Sequence, residues 1–389
     1  MNPYLMNTYA PLPVAFVKGE GAWLWDDTGK RYLDAISGLS VCSLGHAHPE
    51  VTRTIADQAS KLLHSGNLVR IPWQEQLAER LAQVTGLEKA FICNSGTEAI
   101  ECALKITRIT GHQNGLTVPG VIVMEQSFHG RTMAALSATG SRKAQAGFEP
   151  LVGGFIRAPF GDLEAVATIA RRHRDIAAVL VEPIQGEAGI RVPPPGYLAG
   201  LRSLCDEFGW LLVFDEIQSG LCRTGKWFAH QHENVLPDVL TTAKALANGL
   251  PAGACVARGR AAEAFSPGKH GSTFGGNPLV SRTACTVLDV MRDENIADRA
   301  DRTGGAMLGR FRERLAAHPL VRDVRGRGLM IGIELSRDAN ALKHAALERG
   351  VVLNVTQDRV IRLLPPLIID ADQADEIVDV VCRLVEEMD

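Results

Sequence analysis

Short, wholly apolar runs alternate along this chain of 389 residues with longer stretches in which apolar positions recur at helical spacing. A run without polar alternation is typical of a strand covered on both faces, and helices between such strands favour a parallel sheet. Over residues 90–250 the pattern predicts strands at Ala90–Cys93, Val121–Met124, Ala178–Val181 and Leu211–Phe214. The hydrophobic pattern therefore predicts an α/β fold in which helices cover a largely parallel sheet.

The flanks of that region predict further elements. Short apolar runs on either side of the Asp27-Thr28-Gly29 turn predict a hairpin over residues 14–34. Helical spacing predicts helices at about Pro49–Leu63, Gln74–Val84, Pro278–Ala317 and Ala371–Glu387. The chain is longer than one ordinary hydrophobic core supports, so we expect two domains, connected by the long helix that begins at Pro278.

Composition narrows the class of protein. Hydrophobic residues make up 46% of the chain and charged residues 22%, and the net charge is −3, which is ordinary for a soluble enzyme. The charge pattern indicates neither a nucleic-acid nor a membrane partner, and the sequence predicts no signal peptide and no membrane span. The eight cysteines show no C-x-x-C spacing, so we expect reduced thiols and a cytoplasmic location.

Two pairs of histidines give little support for a metal site. His46 and His48, like His230 and His232, are spaced so that the two rings do not share one helical face. Neither pair has an obvious third ligand, and we therefore predict no bound metal. We interpret the first pair as a loop before a helix and the second as exposed polar positions.

The most specific pattern is one acid followed 29 residues later by one lysine. Asp215 ends the apolar run Leu211–Phe214, at the strand end where open α/β sheets bind ligands. Lys244 lies among small apolar residues, where desolvation favours loss of its proton. Alone, each residue is more often a helix cap or a surface charge. Together they indicate pyridoxal phosphate chemistry, since an amine can form a Schiff base and an acid can keep a pyridine nitrogen protonated.

A nucleotide-binding ATPase is the alternative from a different class. An apolar run followed by Asp-Glu is also typical of a Walker B strand, and Gly220–Lys226 fits the first seven positions of a P-loop. The eighth position is Trp227, which has no hydroxyl group for magnesium, and no strand directly precedes Gly220. We therefore disfavour an ATPase.

Other motifs are compatible with the same cofactor. Asn94–Ala99 follows a predicted strand and begins a helix, whose free amides can bind phosphate. Another strand is followed by Phe128, which can stack on a ring, and Arg131, which can bind a carboxylate. Polar groups of Val181–Glu187 follow a third strand, and the glycine-rich loop His270–Pro278 can reach a phosphate. Singly, these motifs are an ordinary helix cap, a core aromatic, a surface charge and a flexible loop.

An arginine also lies inside an apolar run near the C-terminus. Arg362 is flanked by the apolar residues of Val360–Pro366. An unpaired buried charge is very costly, so we expect Arg362 to have an acidic partner or an acidic ligand.

In combination, these motifs resemble the class III, or ω-amino acid, aminotransferases of the pyridoxal-phosphate fold-type I superfamily. The resemblance covers essentially the whole chain, with further matches at Pro13–Phe16, Gly45–Pro49 and Arg362–Pro366. Within this class the chain is similar to the bacterial acetylornithine aminotransferases. The resemblance implies a large cofactor-binding domain with a mainly parallel sheet and a small α+β domain built from both termini. The resemblance implies that residues 1–50 form the first part of the small domain and residues 51–280 the large domain. Residues 281–389 would form the connecting helix and the rest of the small domain.

The resemblance also implies how pyridoxal 5′-phosphate is held. Lys244 would carry the cofactor as a Schiff base and act as the catalytic base and acid. Asp215 would pair with the pyridine nitrogen, Gln218 would lie near the phenolic oxygen, and Phe128 would stack on the ring. The phosphate would be bound by Ser95, Gly96 and Thr97.

Substrate-binding roles are implied in the same way. Arg131 would bind the distal carboxylate of both substrates, and Arg362 would bind the carboxylate nearest the cofactor. Glu187 would pair with Arg362 while an ω-amine donor is bound and move away for 2-oxoglutarate. Thr273 and Ser272 would reach the neighbouring subunit's site, the first at the phosphate and the second at the substrate. Active sites shared in this way imply a two-fold homodimer.

The reaction so predicted transfers the ω-amino group of N2-acetylornithine to 2-oxoglutarate by a ping-pong scheme. Its products are N-acetylglutamate 5-semialdehyde and glutamate, in arginine biosynthesis. Succinylornithine, ornithine, N-acetyl-lysine and 4-aminobutyrate stay open as alternative donors, and Ile36–Val41 is expected to line the donor's α-nitrogen, where they differ. A catalytically silent binding protein on this fold is disfavoured because both Lys244 and Asp215 are present.

Overall fold

The structure is a computed structural model that describes residues 3–388 of the chain. These residues form 15 strands in three sheets. In chain order the strands are β1 (Phe16–Glu20), β2 (Trp23–Asp26), β3 (Arg31–Asp34), β4 (Lys89–Cys93), β5 (Gly120–Met124), β6 (Phe155–Ala158), β7 (Ile176–Val181), β8 (Leu211–Asp215), β9 (Val239–Thr242), β10 (Gly253–Ala257), β11 (Val321–Arg327), β12 (Met330–Leu335), β13 (Val351–Val352), β14 (Asn354–Thr356) and β15 (Val360–Leu363).

Helices join most of these strands. The longer α-helices are Pro49–Ala59, Pro72–Thr85, Gly96–Gln113, Met133–Ala138, Leu163–Arg172, Tyr197–Phe208, Pro278–Asp293, Ile296–Leu315, Leu342–Glu348 and Ala371–Glu386. Single turns of α-helix or 3₁₀-helix lie at Arg142–Gln145, Ala229–His232, Lys244–Ala247 and Gly259–Ala262. Three of the longer helices begin at a proline, whose missing N–H costs nothing at the first helical position.

The largest sheet carries the four strands that the apolar runs predict. Its strand order is β4-β10-β9-β8-β7-β5-β6, parallel from β9 to β6, with β10 antiparallel to both β4 and β9. Alternate residues of β5 face opposite layers: Val123 packs with the helix Gly96–Gln113, and Met124 packs with the helix Tyr197–Phe208. Because helices cover both faces, β5, β7 and β8 are buried at every residue. The predicted α/β fold with a largely parallel sheet is confirmed.

Two four-stranded sheets lie outside this layer, in the orders β1-β2-β3-β13 and β11-β12-β15-β14. The first contains the predicted hairpin, which is confirmed. In that sheet β13 pairs in parallel with β3, and Leu33 lies opposite Val351. The N-terminal and C-terminal parts of the chain therefore build one region. The domain boundaries at residues 50 and 280 stay a prediction, which this pairing supports.

Three predicted helices differ from the observed ones. The predicted Pro278–Ala317 helix is two helices, because Asn295 adopts a left-handed φ of +50° between Asp293 and Ile296. Asparagine tolerates that conformation better than most residues, so the break costs little. The helix that begins at Pro49 ends at Ala59 instead of Leu63, and the next helix begins at Pro72 instead of Gln74.

Three further features of the described chain bear on function. Within residues 3–388, no helix combines the length and the apolarity that crossing a bilayer requires. The eight cysteines carry free thiols, and all except Cys42 are buried. Over the same residues, no three His, Cys, Asp or Glu side chains are grouped so that they could hold a metal ion.

Candidate active site

A cavity of about 400 Å³ lies at the carboxyl ends of the parallel strands. Parallel pairing puts Asp215 of β8 opposite Thr241 of β9, so the residues that follow these strands meet at one edge of the sheet. The cavity is lined by eight site residues predicted from the sequence, which are Ser95, Gly96, Thr97, Phe128, Arg131, Asp215, Gln218 and Lys244.

The Asp215 carboxylate is buried and has partners on both oxygens. Its Oδ2 lies 2.7 Å from Nδ1 of His129, which is also buried. Its Oδ1 accepts hydrogen bonds from the Ile217 N–H at 3.1 Å and the Thr241 hydroxyl at 3.3 Å. These contacts hold the carboxylate in one orientation at the wall of the cavity.

Lys244 lies two residues beyond the end of β9 and has a positive φ of +43°. This backbone conformation is unfavourable for a residue with a Cβ, and such strain is concentrated at functional sites. Burial lowers the pKa of the Lys244 ammonium group and Arg362 lowers it further, whereas the negative charges of Glu187 and Asp215 oppose the shift. The net lowering favours the neutral amine, which is the form that condenses with a carbonyl and accepts a proton.

A cradle for an anion lies where β4 leads into the helix Gly96–Gln113. The Ser95 hydroxyl caps this helix by accepting a hydrogen bond from the Glu98 N–H. The Gly96 and Thr97 N–H groups, at the first two helical positions, have no carbonyl acceptor within the helix. A Cβ at Gly96 would lie 2.8 Å from the Ile217 side chain, so a larger residue there would have to displace that side chain. These features match a phosphate site.

Phe128 and Arg131 lie on the loop between β5 and the helix Met133–Ala138. The guanidinium carbon of Arg131 is 5.4 Å from the centroid of the Phe128 ring. Between them, Gly130 has a φ of +137°, and a Cβ there would lie 2.3 Å from the Thr97 hydroxyl. Only glycine fits, so this loop packs directly on the phosphate cradle. Arg131 is exposed at the cavity and is free to meet a carboxylate.

Glu182 connects the loop of Phe128 with the loop of Glu187. Its Oε1 accepts a hydrogen bond from the Phe128 N–H at 2.9 Å, and its Oε2 accepts one from the Gly186 N–H at 3.1 Å. Burial, with a further contribution from the Asp215 charge, raises the pKa of Glu182 to about 7. One buried carboxyl group therefore fixes two loops that carry site residues.

Glu187 and Arg362 form an ion pair next to this cavity. Nη1 of Arg362 lies 2.5 Å from Oε1 of Glu187 and 3.3 Å from Oε1 of Gln218, and its Nε donates to Asn354. Burial alone would raise the pKa of Glu187, but Arg362 lowers it below its ordinary value. The acidic partner expected for Arg362 is therefore Glu187, and Gln218 links this pair to the lining of the cavity.

Ser272 and Thr273 lie outside that cavity. They line a neighbouring one of about 300 Å³, together with Phe91 and Asn94. The Ser272 hydroxyl accepts hydrogen bonds from the Asn94 side chain and the Gly275 N–H, whereas Thr273 is exposed. The chain therefore does not bring Thr273 into its own Lys244 cavity.

The chain matches the family "Aminotransferase class-III" over residues 4–385. It belongs to this family. Class-III aminotransferases depend on pyridoxal 5′-phosphate, so this chain depends on the same cofactor. The resemblance to class III aminotransferases that the sequence motifs suggested is confirmed, and the enzyme is an aminotransferase.

Relatives and solved structures resemble this aminotransferase over nearly its whole length. It is 54% identical to acetylornithine aminotransferase of Nitrosomonas europaea over 98% of this chain and 97% of that protein. It is 44% identical to acetylornithine aminotransferase of Aquifex aeolicus over 98% of this chain and all of that protein. The crystal structure of acetylornithine aminotransferase from Elizabethkingia anophelis matches with a TM-score of 0.89 and 33% identity, over 99% of this chain and 97% of that one. The ornithine aminotransferase of Toxoplasma gondii matches with a TM-score of 0.95 and 35% identity, over 98% and 92%.

The residues of the cavity fit pyridoxal phosphate. The amide cradle at Gly96 suits a phosphate, the lysine with a lowered pKa suits an aldehyde, and the Asp215 carboxylate suits a pyridine nitrogen. The cavity also offers the Phe128 ring as a flat surface for stacking. Each chemical part of the cofactor therefore has a matching group in this class-III aminotransferase.

Sequence reasoning missed three residues of the site region. His129 and Glu182 lie in motifs that the sequence offers, but their partners, Asp215 and the Phe128 N–H, are distant in sequence. Arg223 lies in the segment that resembles a P-loop, and it is fully buried. In the sequence, each of them can be noticed only as a polar residue beside a predicted buried strand or turn.

Two polar segments differ from what the sequence alone suggests. The prediction that His230 is exposed is wrong, because its ring is buried and Nδ1 lies 3.0 Å from the buried Glu216 carboxylate. The P-loop resemblance of Gly220–Lys226 has no structural counterpart. Turns and the short 3₁₀-helix Ala229–His232 follow it, where a P-loop requires a longer α-helix.

Proposed function

We propose that this aminotransferase transfers the ω-amino group of N2-acetylornithine to 2-oxoglutarate, with N-acetylglutamate 5-semialdehyde and glutamate as products. The observation that carries this proposal is the Glu187–Arg362 ion pair, with its 2.5 Å contact, beside Gln218 and Lys244. An ω-amine donor has no carboxylate close to its reacting amine, so an enzyme for such donors must neutralise the near arginine itself. The names of the Nitrosomonas and Aquifex relatives narrow the donor to acetylornithine.

Two arginines divide the recognition of carboxylates. Arg131 reaches the open side of the cavity and binds the carboxylate far from the reacting carbon in both substrates. Arg362 binds the α-carboxylate of 2-oxoglutarate, which lies next to the keto carbon. Glu187 must leave Arg362 at that step, and its partly exposed position on a loop leaves room for this movement.

Cofactor binding uses the groups around the cavity. Gly96 and Thr97 donate their N–H groups to the phosphate, and the Ser95 hydroxyl supports them. Phe128 would cover one face of the ring, and Gln218 would lie near the phenolic oxygen. Asp215, oriented by His129, keeps a proton on the pyridine nitrogen. When bound, pyridoxal phosphate supplies an aldehyde for the amine and a ring that takes up electrons.

Proton transfer falls to Lys244. Its neutral amine, favoured by burial, removes the proton from the carbon that bears the donor nitrogen. The same Nζ would then give up that proton again, so one group would act as base and acid in turn. Glu187 and Arg362 shift the pKa of this amine in opposite directions, so their pairing partly cancels their effects on Lys244.

A panel of half-reactions tests the donor. Holoenzyme is mixed with acetylornithine, succinylornithine, ornithine, N-acetyl-lysine or 4-aminobutyrate, and the change in cofactor absorbance is followed. We expect acetylornithine to give the highest second-order rate constant. A higher value for any other donor would replace acetylornithine in the proposal. The Lys244→Ala variant, mixed with the same donors, controls for absorbance changes that do not come from transamination.

We propose further that the enzyme is a two-fold homodimer with shared active sites. Thr273 is exposed on this chain, and Phe274 beside it is 62% exposed. Large apolar side chains that are also exposed follow the helix Pro49–Ala59, at Leu62, Leu63, Leu68 and Val69. Apolar surface of this kind is typical of an interface between subunits. A second copy that covers it would receive Thr273 at its phosphate and Ser272 at its substrate.

Complementation between two inactive variants tests this arrangement. Lys244→Ala and Thr273→Glu are co-expressed with different tags, and the mixed dimers are compared with each parent. If Thr273 serves the partner's cavity, one of the two sites in a mixed dimer is intact, and random mixing restores about a quarter of full activity. Inactive mixed dimers would contradict the shared site, and a monomer in light scattering would contradict the dimer itself.

The same proposal places the enzyme in the cytoplasm. Free thiols at all eight cysteines support a reducing compartment. The net charge of −3 differs from the strongly basic balance that is typical of nucleic-acid-binding domains. Cell fractionation with a tagged chain checks the location, and recovery of the enzyme in a membrane or extracellular fraction would contradict it.

A further inference from the structure

Arg223 is a fully buried arginine whose hydrogen-bond partners are all uncharged, although the negative charge of Asp34 acts on it from nearby. Its guanidinium group donates five hydrogen bonds of 2.6–3.4 Å, to the hydroxyls of Ser37, Ser40 and Ser43 and to the carbonyls of Leu329 and Pro365. Burial lowers the pKa of Arg223 to about 9, which still leaves it protonated at neutral pH. Burying a charge among neutral acceptors costs free energy. What Arg223 provides in return is five N–H donors held in fixed directions by the planar guanidinium group.

The acceptors of Arg223 all come from the parts of the chain assigned to the small domain. Arg223 itself follows β8 of the central sheet, whereas Leu329 lies between β11 and β12 and Pro365 follows β15. The contact extends to the backbone, since the Leu329 N–H donates to the Arg223 carbonyl at 3.0 Å. A Cβ at Gly328 would lie 2.7 Å from that carbonyl, so the approach is close. Arg223 therefore fastens the small-domain segments onto the central layer.

One of these segments has an unusual backbone. The four consecutive residues of Ser37–Ser40 have left-handed φ values of +45°, +64°, +65° and +69°. Only glycine adopts this conformation readily, and a run of it with three other residues needs external support. Asp34 supports its beginning by accepting hydrogen bonds from the Ile36 and Ser37 N–H groups. Arg223 supports both ends, through the Ser37 and Ser40 hydroxyls.

The left-handed turn is next to the reaction site. It packs against the Lys244–Ala247 turn, and the residue that follows it, Val41, lines the Lys244 cavity. The Ser37 hydroxyl donates onward to the Leu364 carbonyl at 2.7 Å, two residues beyond Arg362. The hydrogen bonds of Arg223 thus connect one wall of the cavity with the strand that carries the carboxylate-binding arginine.

We infer that Arg223 is a positioning residue that fixes the Ser37–Val41 wall where the donor's α-nitrogen lies, and so determines the preference for an acylated donor. This inference rests on the proposed function. N2-Acetylornithine carries an acyl group on its α-nitrogen, whereas 2-oxoglutarate has no nitrogen substituent there. A displaced wall must therefore impair the donor half-reaction more than the acceptor half-reaction, since only the donor has an acyl group to place against that wall.

Two variants test the inference at different strengths. Arg223→Lys retains a cation but cannot reach five acceptors, and Ser40→Ala removes only the acceptor of Nε. For Ser40→Ala we expect KM for acetylornithine to rise about tenfold with kcat within roughly twofold, and KM for 2-oxoglutarate to stay within roughly twofold. Arg223→Lys should show a larger donor effect of the same kind. In both variants the ratio of ornithine to acetylornithine activity should rise.

Readouts without turnover separate positioning from general loss of stability. In apoenzyme, a protease that cleaves after leucine should cut after Leu39 faster in both variants, because the turn is released. Arg202→Lys is the matched control, since Arg202 is half-buried, pairs with Asp206 and Asp238, and does not line the cavity. The inference would be overturned if kcat/KM for acetylornithine and kcat/KM for 2-oxoglutarate fell equally, and in proportion to the melting temperature as in Arg202→Lys. Should Arg223→Lys not fold, Ser40→Ala decides alone. Wild-type enzyme that does not react with acetylornithine would instead contradict the proposed function.

Discussion

Nδ1 of His129 lies 2.7 Å from Oδ2 of Asp215, and both side chains are buried at the wall of the Lys244 cavity. The opposite ring nitrogen, Nε2, is buried without a hydrogen-bond partner among the described residues. Because an ionised carboxylate can only accept, Nδ1 is the donor in the contact with Asp215. Through this contact, one histidine fixes the orientation of the acid that faces the cofactor ring.

We predict that His129→Phe weakens both cofactor binding and turnover. The ring shape is retained, but Asp215 loses a donor, and a hydrogen bond to a charged group is worth about 1.5–3 kcal/mol. The dissociation constant of pyridoxal phosphate should therefore rise roughly 10- to 100-fold. Fluorescence titration of apoenzyme measures it. His129→Asn, which can place an N–H near the position of Nδ1, should recover part of the loss. Unchanged affinity in His129→Phe would show that Asp215 does not depend on this contact.

A second prediction concerns Glu187. In Glu187→Ala, Arg362 is left without a carboxylate partner unless the substrate supplies one. The variant should therefore favour donors that carry a carboxylate beside the reacting amine. We expect kcat/KM for glutamate as donor, relative to acetylornithine, to rise about tenfold or more. Glu187→Gln retains the shape and removes the charge, and it should shift the ratio in the same direction. An unchanged donor ratio in both variants would count against the switching role of Glu187.

These residues also show how far the sequence is informative. A buried strand that ends at a carboxylate can be recognised because its apolar run has a sharp end, and Asp215 could be placed at a strand end in this way. Lys244 could be recognised only by its small apolar neighbours. The expectation that Arg362 needs an acid follows from the cost of burying a charge. Its partner Glu187 could be named only through the family resemblance, since 175 positions separate the two.

What the sequence could not show depends on contacts between distant segments. His129 meets Asp215 across 86 positions, and Arg223 meets Ser40 across 183. Neither pairing has a local periodicity that could predict it. The same limit explains His230, which polar neighbours made appear exposed although its partner Glu216 is buried. Asn295 ended a helix whose hydrophobic spacing continues past it, because the preference for a left-handed turn is a property of one residue.

A third prediction concerns pH. Burial alone would lower the pKa of the His46 imidazole, but its hydrogen bond to Asp34 raises that pKa from an ordinary value of 6.5 to about 9. The folded chain therefore binds a proton that the unfolded chain releases between these values, and the contribution of His46 is fully present below pH 6.5 and lost as pH rises through 9. The shift sets an upper limit of roughly 3 kcal/mol on that contribution.

Urea unfolding of apoenzyme between pH 6 and pH 10 measures the effect. The free energy of unfolding of wild-type enzyme should fall over this range, and the decrease should be smaller in His46→Gln. His344→Gln, at an exposed position on the helix Leu342–Glu348, is the matched control and should follow the wild type. Equal pH dependence in His46→Gln and wild type would show that another group causes the decrease.

The last prediction separates the two arginines by the substrates that need them. Arg131 lines the cavity and is exposed there, and its position 5.4 Å from the Phe128 ring leaves its donors free for a ligand. Because both substrates present a distal carboxylate, Arg131→Met should raise the KM for acetylornithine and for 2-oxoglutarate by similar factors, about 30-fold or more. Arg362→Met should raise mainly the KM for 2-oxoglutarate, since Glu187 covers Arg362 during the donor half-reaction. Steady-state kinetics with each substrate varied in turn measures both. A loss confined to one substrate in Arg131→Met would show that the distal carboxylate of the other substrate does not depend on Arg131, which would contradict the proposed division of roles between the two arginines.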